Sequence, residues 1–190
     1  MSQYIIGCDE VGTGSAAGPF VVCAVRATKK WNHPGLNDSK KLSPKKRYQL
    51  NQELIHLNDI GEIDYILIQV SNTNIDAHGL GVALKNAHVE AINILADSSA
   101  TAILDGKSKI EADCKVISMV KADQTIPTVM AASILAKVFR DNFMQEIDKE
   151  YPHYNWKNNV GYITSQHKQA IQQHGLSPYH RKSFKLNINN

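Results

Sequence analysis

Residues 4–14 read YIIGCDEVGTG, an apolar run that ends on two adjacent acids and then enters a glycine-containing turn. The run from Tyr4 to Cys8 predicts a short buried strand, and the glycines after it predict a sharp turn. Asp9 and Glu10 therefore close a core strand. Because an unpaired buried carboxylate is costly or shifts its pKa, acids at this position indicate a partner or a function. Adjacent strand residues point to opposite faces, so both serve one site only if the chain breaks at Glu10.

Two further acids occupy comparable positions in the sequence. Asp105 ends the apolar run from Thr101 to Leu104, and Asp123 precedes a long stretch of helical character. These positions predict one shared site, for which a divalent cation is the simplest partner. Oxygen ligands of this kind favour Mg²⁺ or Mn²⁺. In other enzymes, two such metal ions about 3.5–4 Å apart hydrolyse phosphodiesters. The ordinary alternative is a set of solvated strand-to-turn junctions.

The composition indicates one soluble domain, with room for a small C-terminal appendage. The chain has 190 residues, of which 43% are hydrophobic, which is enough for a core. The formal net charge is only +3, so the protein lacks a strong overall basic field. Five basic residues nevertheless cluster at Lys40, Lys41, Lys45, Lys46 and Arg47. Such a strip can follow a phosphate backbone, although a solvated helix start explains it equally well.

The cysteines and the N-terminus predict a cytoplasmic protein. Cys8, Cys23 and Cys114 are widely spaced and form no Cys-x-x-Cys pair, which disfavours a zinc site and indicates reduced thiols. No basic segment precedes a long apolar run, so we expect no signal peptide. The apolar runs are also far shorter than the ~20 residues of a membrane-spanning helix.

The remaining patterns predict an α/β fold. Further strands are expected at 20–27, 65–70, 101–105 and 115–120, and helices at 43–57, from 74 or 76 onward, 82–95, 128–147 and 165–174. We expect antiparallel pairing among the first strands and parallel pairing among the later ones, with catalytic groups at strand ends. The apolar face of the longest helix is predicted to comprise Ile134, Leu135, Val138 and Phe139.

Other candidate residues have competing interpretations. The backbone of Gly12-Thr13-Gly14 can approach a phosphate or a sugar closely, although turn chemistry alone explains the glycines. Tyr162 is a candidate ring for stacking on a sugar or base, or else a core tyrosine. Asp141 is predicted to make a structural ion pair. His180 lies next to Arg181, and a surface histidine is the favoured interpretation.

Taken together, the motifs resemble those of ribonuclease HII, the type 2 ribonuclease H family. The resemblance is carried by Ile6 to Gly12, Ala17-Gly18-Pro19, Asp38 to Ser43, Leu104-Asp105-Gly106, Lys121-Ala122-Asp123, Ala131 to Asp141, Gly161-Tyr162 and Ser177 to Phe184. These motifs follow the same order over nearly the whole chain, so the resemblance is specific.

The resemblance implies a ribonuclease H-like fold, with a mixed five-stranded sheet flanked by helices and a small helical C-terminal extension. Residues 1–150 would form the catalytic domain, and residues 151–190 the extension packed on it. The implied activity is metal-dependent endonucleolytic cleavage of the RNA strand of an RNA–DNA duplex, leaving 5′-phosphate and 3′-hydroxyl ends. The implied cofactor is a pair of Mg²⁺ or Mn²⁺ ions.

The resemblance also implies roles for individual residues. The four catalytic acids and metal ligands of the family fall on Asp9, Glu10, Asp105 and Asp123. The tyrosine that senses the sugar next to the cleaved linkage falls on Tyr162, and the lysine that contacts phosphate falls on Lys40. Gly12, Thr13 and Gly14 would contact the ribose through their backbone.

Thr13 departs from the pattern of the family, whose loop normally reads Gly-Arg-Gly. Related ribonuclease HIII enzymes typically carry threonine there. Two substrate ranges therefore stay open: cleavage that includes single ribonucleotides embedded in DNA, or cleavage of longer RNA tracts only. A non-catalytic hybrid-binding protein is a third alternative, which the clustered acids disfavour because they repel phosphates.

The resemblance suggests a monomer that acts on RNA–DNA hybrids or on DNA containing ribonucleotides. The tail from Lys185 to Asn190 has no aromatic pair of the kind that docks on sliding clamps. We therefore expect no clamp partner through this tail, and no membrane association.

Overall fold

The computed structural model describes residues 3–186. The elements are β1 (Tyr4–Val11), β2 (Phe20–Thr28), α1 (Pro44–Asp59), β3 (Asp64–Val70), α2 (Asn72–His78), α3 (Leu80–Leu95), β4 (Ala100–Asp105), β5 (Lys115–Met119), α4 (Pro127–Glu150), α5 (Trp156–Asn159) and α6 (Ser165–His174). Short 3₁₀ turns precede α4 and α5. Residues 187–190, in the tail interpreted above, lie outside the described residues.

The five strands form one mixed sheet in the order β3-β2-β1-β4-β5. β1 pairs antiparallel with β2, and β2 with β3, whereas β1 with β4 and β4 with β5 pair parallel. The predicted mixed sheet and its strand directions are therefore confirmed. Because β1 and β4 are parallel neighbours, their carboxyl ends lie side by side at one edge of the sheet.

Helices cover both faces of the sheet, and alternate residues of β1 pack on each. Ile6 and Cys8 join a buried cluster with Ala87 and Ala91 of α3. On the other face, a Cβ added to Gly7 would lie 2.3 Å from the backbone of Thr128 in α4. Only glycine permits such a close approach, so this residue lets α4 lie directly against β1.

The helices largely agree with the sequence patterns, with one correction to a boundary and one to a buried face. Ser71 caps α2, so this helical region begins at Asn72 rather than at residue 74 or 76. Its hydroxyl accepts a bond from the third amide of the helix, a polar signal that apolar spacing does not show. Phe139 is 38% exposed, so it does not belong to the buried face of α4, unlike Ile134, Leu135 and Val138.

The chain after α4 packs an aromatic and histidine cluster against that helix. Tyr154 and Trp156 are buried with Met144 and Ile147 of α4. His180 is fully buried, so the expected surface histidine is wrong. Its polar neighbours in the sequence predicted exposure, whereas contacts with Tyr154 and Trp156, more than twenty residues earlier, bury the ring.

Hydrogen bonds fix both rings of a buried histidine pair in the neutral form. The Ser177 N–H donates to His180 Nδ1, at 2.9 Å, and the Trp156 Nε1–H donates to His167 Nε2, at 3.1 Å. The two Nε2 atoms are 3.1 Å apart, so His180 donates there. His167 Nδ1 in turn donates to the Tyr162 carbonyl, at 3.0 Å. This chain of bonds connects the C-terminal segment to the residue predicted to sense the sugar.

The histidine pair makes the stability of the protein sensitive to acid. Burial, followed by the neighbouring His167, lowers the pKa of His180 to about 4, and burial also lowers the pKa of His167. The unfolded chain therefore binds protons first as the pH falls below about 6.5. For His180, stability is complete above that pH and is lost toward pH 4, by about 1.4 kcal/mol per pH unit. The lowered pKa of His167 acts in the same direction.

We expect His180→Gln to flatten this dependence, because glutamine keeps a polar side chain but does not titrate. The measurement is the free energy of unfolding in urea between pH 4 and pH 7. His56→Gln, at an exposed position on α1, is the matched control and should keep the slope of the original protein. An equal dependence of the free energy of unfolding on pH in all three proteins would contradict the statement that the buried histidine pair is neutral.

Candidate active site

Asp9 lies in β1 on the face covered by α4, with only 8% of its surface exposed. Its Oδ1 accepts the Glu10 N–H at 2.8 Å, and the Ser133 hydroxyl of α4 also stabilises the carboxylate. Burial raises the pKa of Asp9 to about 7, and the charges of Glu10 and Asp105 add to the rise. In the absence of a cation, burial therefore disfavours the charged form of the Asp9 carboxylate.

Asp105 and Asp123 lie at the same edge of the sheet as Asp9. In the parallel register Cys8 pairs with Leu104, so Asp105 follows at the level of Asp9 and on the same face. Asp105 Oδ1 accepts the Ala122 N–H at 2.7 Å, which ties the end of β4 to the turn that carries Asp123. Burial and then the charge of Asp105 raise the pKa of Asp123.

Lys40 forms an ion pair with one member of this cluster of acids. Its Nζ is 3.6 Å from Asp123 Oδ2, although 80% of the lysine side chain is exposed. The preceding turn is anchored by a buried hydrogen bond of 2.9 Å between Ser39 and Ser133. Lys40 is therefore next to the acids and still free to reach a phosphate in solution.

Glu10 lies on the opposite face of the sheet from Asp9. The strand continues through Glu10, which pairs with Val22, and breaks only at Gly12. The expectation that the chain breaks at Glu10 is therefore wrong. Its Oε2 is 3.3 Å from Nε2 of His88, a residue of α3 that is 2% exposed. The alternation of a regular strand places the two adjacent acids on different faces.

The donor chemistry of the acids fits a divalent cation. All the candidate ligand atoms are carboxylate oxygens, which Mg²⁺ and Mn²⁺ prefer. Oδ1 of Asp123 is buried and has no hydrogen-bond partner among residues 3–186. No group of three or more His, Cys, Asp or Glu side chains in that range is already arranged to hold an ion. The ligands are present, but the coordination shell is not closed.

The loop after β1 is built around the buried side chain of Arg140. A Cβ at Gly12 would lie 2.0 Å from Nε of Arg140, and the backbone there has φ +84°, so only glycine fits. The guanidinium donates to the Pro19 carbonyl at 2.8 Å and to the Ser15 hydroxyl at 2.7 Å. The spacing of the glycines predicted a turn, but not the arginine on which it is built.

Tyr162 lies beside the loop, and its ring is 40% exposed. Cε1 of the ring would be 3.9 Å from a Cβ at Gly14. The Ala16 and Ala17 amides donate to the Gly161 carbonyl at 2.8 and 3.2 Å, which fixes this turn against the loop. The tyrosine therefore presents a free edge next to Gly14, as a ring that contacts a ligand must.

Sequence reasoning missed the residues that support the site. His88, Arg140 and Arg181 are buried polar residues that meet the site from distant parts of the chain. The local sequence of Arg140 and Arg181 gave no signal beyond their place in long motifs, and His88 lies in none of those motifs. Asp141, by contrast, makes the predicted structural ion pair, at 2.7 Å from Nζ of Lys137.

Solved structures share this architecture. The ribonuclease H2 from Pyrococcus horikoshii OT3 superimposes with a TM-score of 0.80 at 25% identity, covering 97% of this chain and 96% of that one. Bst-RNase HIII in complex with Mn²⁺ shares the fold with a TM-score of 0.71 at 18% identity, covering 98% and 69%. The mixed sheet and its flanking helices define a ribonuclease H-like fold.

The model of the ribonuclease HII family matches residues 6–187, and the chain belongs to that family. Ribonuclease HII of Rickettsia bellii is 41% identical over 180 residues, which are 95% of this chain and 89% of that protein. Ribonuclease HII of Oceanobacillus iheyensis is 40% identical over 183 residues, covering 96% and 69%. The protein is therefore a ribonuclease H, in a family of endonucleases for RNA–DNA hybrids. None of the helices between residues 3 and 186 combines the length and apolar character needed to cross a bilayer.

Proposed function

We propose that this protein hydrolyses the RNA strand of RNA–DNA hybrids at the site of Asp9, Asp105 and Asp123, which Glu10 would join by turning its side chain away from His88 around the end of β1. The observation that carries the proposal is that Asp9 and Asp105 lie side by side on neighbouring parallel strands, next to the buried Asp123, whose Oδ1 has no hydrogen-bond partner among residues 3–186. Two Mg²⁺ or Mn²⁺ ions bound there would supply an activated water and stabilise the leaving 3′ oxygen. The products would carry 5′-phosphate and 3′-hydroxyl ends.

The residues of the chain have separate tasks in this proposal. Asp9 and Asp105, fixed on neighbouring parallel strands, hold the charge that attracts the cations. Lys40 contacts a phosphate next to the cleaved one, since its ammonium is exposed at the rim of the site. Tyr162 and the backbone from Gly12 to Gly14 read the ribose, whose 2′-hydroxyl distinguishes RNA from DNA.

We also propose that single ribonucleotides embedded in DNA are cleaved on their 5′ side. The Thr13 carbonyl accepts a bond from Arg181 at 2.7 Å, so the backbone of the loop is held without an arginine at position 13. The alternative is an enzyme restricted to longer RNA tracts, favoured by the loss of a cation that could bind the phosphate backbone of the substrate.

The protein would act as a monomer, without a clamp contact through its tail. It would act in the cytoplasm, in keeping with the free thiols of Cys8 and Cys23.

The test compares three end-labelled duplexes of one sequence with Mg²⁺ or Mn²⁺: an RNA–DNA hybrid, DNA with one ribonucleotide, and DNA alone. We expect cleavage of the first two and none of the third, because only the first two offer a 2′-hydroxyl.

Thr13→Arg should change the kcat/KM for the single ribonucleotide by less than about threefold, since arginine adds only an exposed contact. Cleavage of the hybrid alone, with gain of the second activity in Thr13→Arg, would support the alternative. No cleavage of either RNA-containing duplex would refute the proposed function.

A further inference from the structure

Two buried guanidinium groups, those of Arg140 and Arg181, lie beneath the loop from Gly12 to Pro19. Both side chains belong to residues with 0% exposure. Their hydrogen bonds go to backbone carbonyls and one hydroxyl of Ser15. Among the described residues, no carboxylate forms an ion pair with either group. Burying cations without a counter-ion is costly, so their presence calls for a reason beyond packing.

Arg181 donates hydrogen bonds to the part of the loop that, in the proposed function, contacts the ribose. Its Nη2 donates to the Gly12 carbonyl at 2.7 Å, and its Nη1 donates to the Thr13 carbonyl at 2.7 Å. Nε donates to the Gly18 carbonyl at 3.1 Å, which closes the loop onto the same side chain. A planar guanidinium can satisfy three acceptors at once, which a lysine ammonium on a flexible stem does poorly.

The direction of these carbonyls fixes the direction of the amides that follow them. No peptide bond in the described chain is cis, and the C=O and N–H of a trans peptide point in opposite directions. Because the Gly12 and Thr13 carbonyls point inward to Arg181, the Thr13 and Gly14 N–H groups point outward. Neither N–H has a protein acceptor among the described residues. Gly14 itself is exposed, beside the ring of Tyr162.

We propose that Arg181 is a positioning residue that presents the Thr13 and Gly14 amides as paired donors to the substrate ribose and its adjacent phosphate. The proposal rests on the proposed function, which assigns the reading of the ribose to the loop backbone, and deepens it by naming the side chain that orients that backbone. The buried positive charge also attracts a phosphate to the outer side of the loop, where aligned N–H groups form an anion-binding surface.

The test uses Arg181→Lys, which keeps the charge but not the geometry. Arg26→Lys is the matched control, because Arg26 also donates to a backbone carbonyl, that of Leu95, but on a remote part of the sheet. We expect Arg181→Lys to accelerate hydrogen exchange of the Thr13 and Gly14 amides at least tenfold. It should raise the KM for the single-ribonucleotide duplex at least tenfold and leave kcat within about threefold. Arg26→Lys should leave the amide exchange rates, the KM and the kcat unchanged.

A second measurement keeps the proposal testable if Arg181→Lys does not fold. In the original protein without metal, adding an RNA–DNA hybrid should shift the NMR resonances of the Thr13 and Gly14 amides, and the matching DNA duplex should not. Unchanged amides with the hybrid would overturn the proposal, as would unchanged exchange and KM in a folded Arg181→Lys. Failure of the original protein to cleave any RNA-containing duplex would instead refute the proposed function on which the inference rests.

Discussion

Asp9→Asn is expected to lower cleavage of an RNA–DNA hybrid on the order of a thousandfold or more, while the protein stays folded. Asparagine keeps the size of the side chain but removes the charge that would hold a cation. The measurement is single-turnover cleavage of an end-labelled hybrid at saturating Mn²⁺. Asp141→Asn is the matched control, because that carboxylate is ion-paired to Lys137 and lies outside the proposed ligand set. Cleavage by Asp9→Asn within tenfold of the original would contradict the proposed site.

The same substitution is expected to stabilise the metal-free protein at neutral and higher pH. The pKa of Asp9 is raised to about 7 in the folded state, well above its unfolded value. Its contribution to stability is therefore complete below about pH 3.9 and is lost as the pH rises through 7. At pH 8 the loss is up to roughly 4 kcal/mol, which asparagine avoids. A lower melting temperature for metal-free Asp9→Asn than for the original protein would contradict the statement that the charged Asp9 carboxylate destabilises the folded protein.

Gly12→Ala is expected to cause the second large effect, a loss of about 3–5 kcal/mol in the free energy of unfolding. The new Cβ would lie 2.0 Å from Nε of Arg140, at a residue whose φ is +84°. Either the guanidinium or the loop must move, and both carry the hydrogen bonds that shape the site. The measurement is urea denaturation, together with the kcat/KM for the hybrid, which should fall with the displaced loop.

Gly61→Ala separates backbone strain from this clash. Gly61 also has a positive φ, +73°, but nothing lies within 4 Å of its added Cβ. We therefore expect it to cost only about 1–2 kcal/mol and to leave cleavage unchanged. Equal destabilisation by Gly12→Ala and Gly61→Ala would show that Arg140 yields easily and does not define the loop.

Local patterns in the sequence were sufficient to predict the framework of the fold. Apolar runs gave the five strands, and Ser43 with Pro44 gave the start of α1, where the Ser43 hydroxyl accepts the Lys46 N–H. These signals are local, because each depends on residues within a few positions of one another. The exposed ring of Phe139 marks their limit, since helical spacing does not tell which neighbour covers a face.

The supporting residues of the site could not be predicted because their contacts are distant in the sequence. Arg181 bonds to Gly12 across a separation of 169 residues, and His88 meets Glu10 only because α3 crosses that face of the sheet. The resemblance to ribonuclease HII identified where the acids lie, but not that Glu10 faces α3. That placement follows from strand alternation once the strand is seen to continue to Val11.

We propose that the carboxylates at the edge of the sheet form one metal site. The most direct measurement is the anomalous diffraction of crystals of the protein soaked in Mn²⁺. We expect density between Asp9, Asp105 and Asp123, with the Glu10 carboxylate turned away from His88 toward it. Absence of density there at millimolar Mn²⁺, or density only at other carboxylates, would contradict the claim.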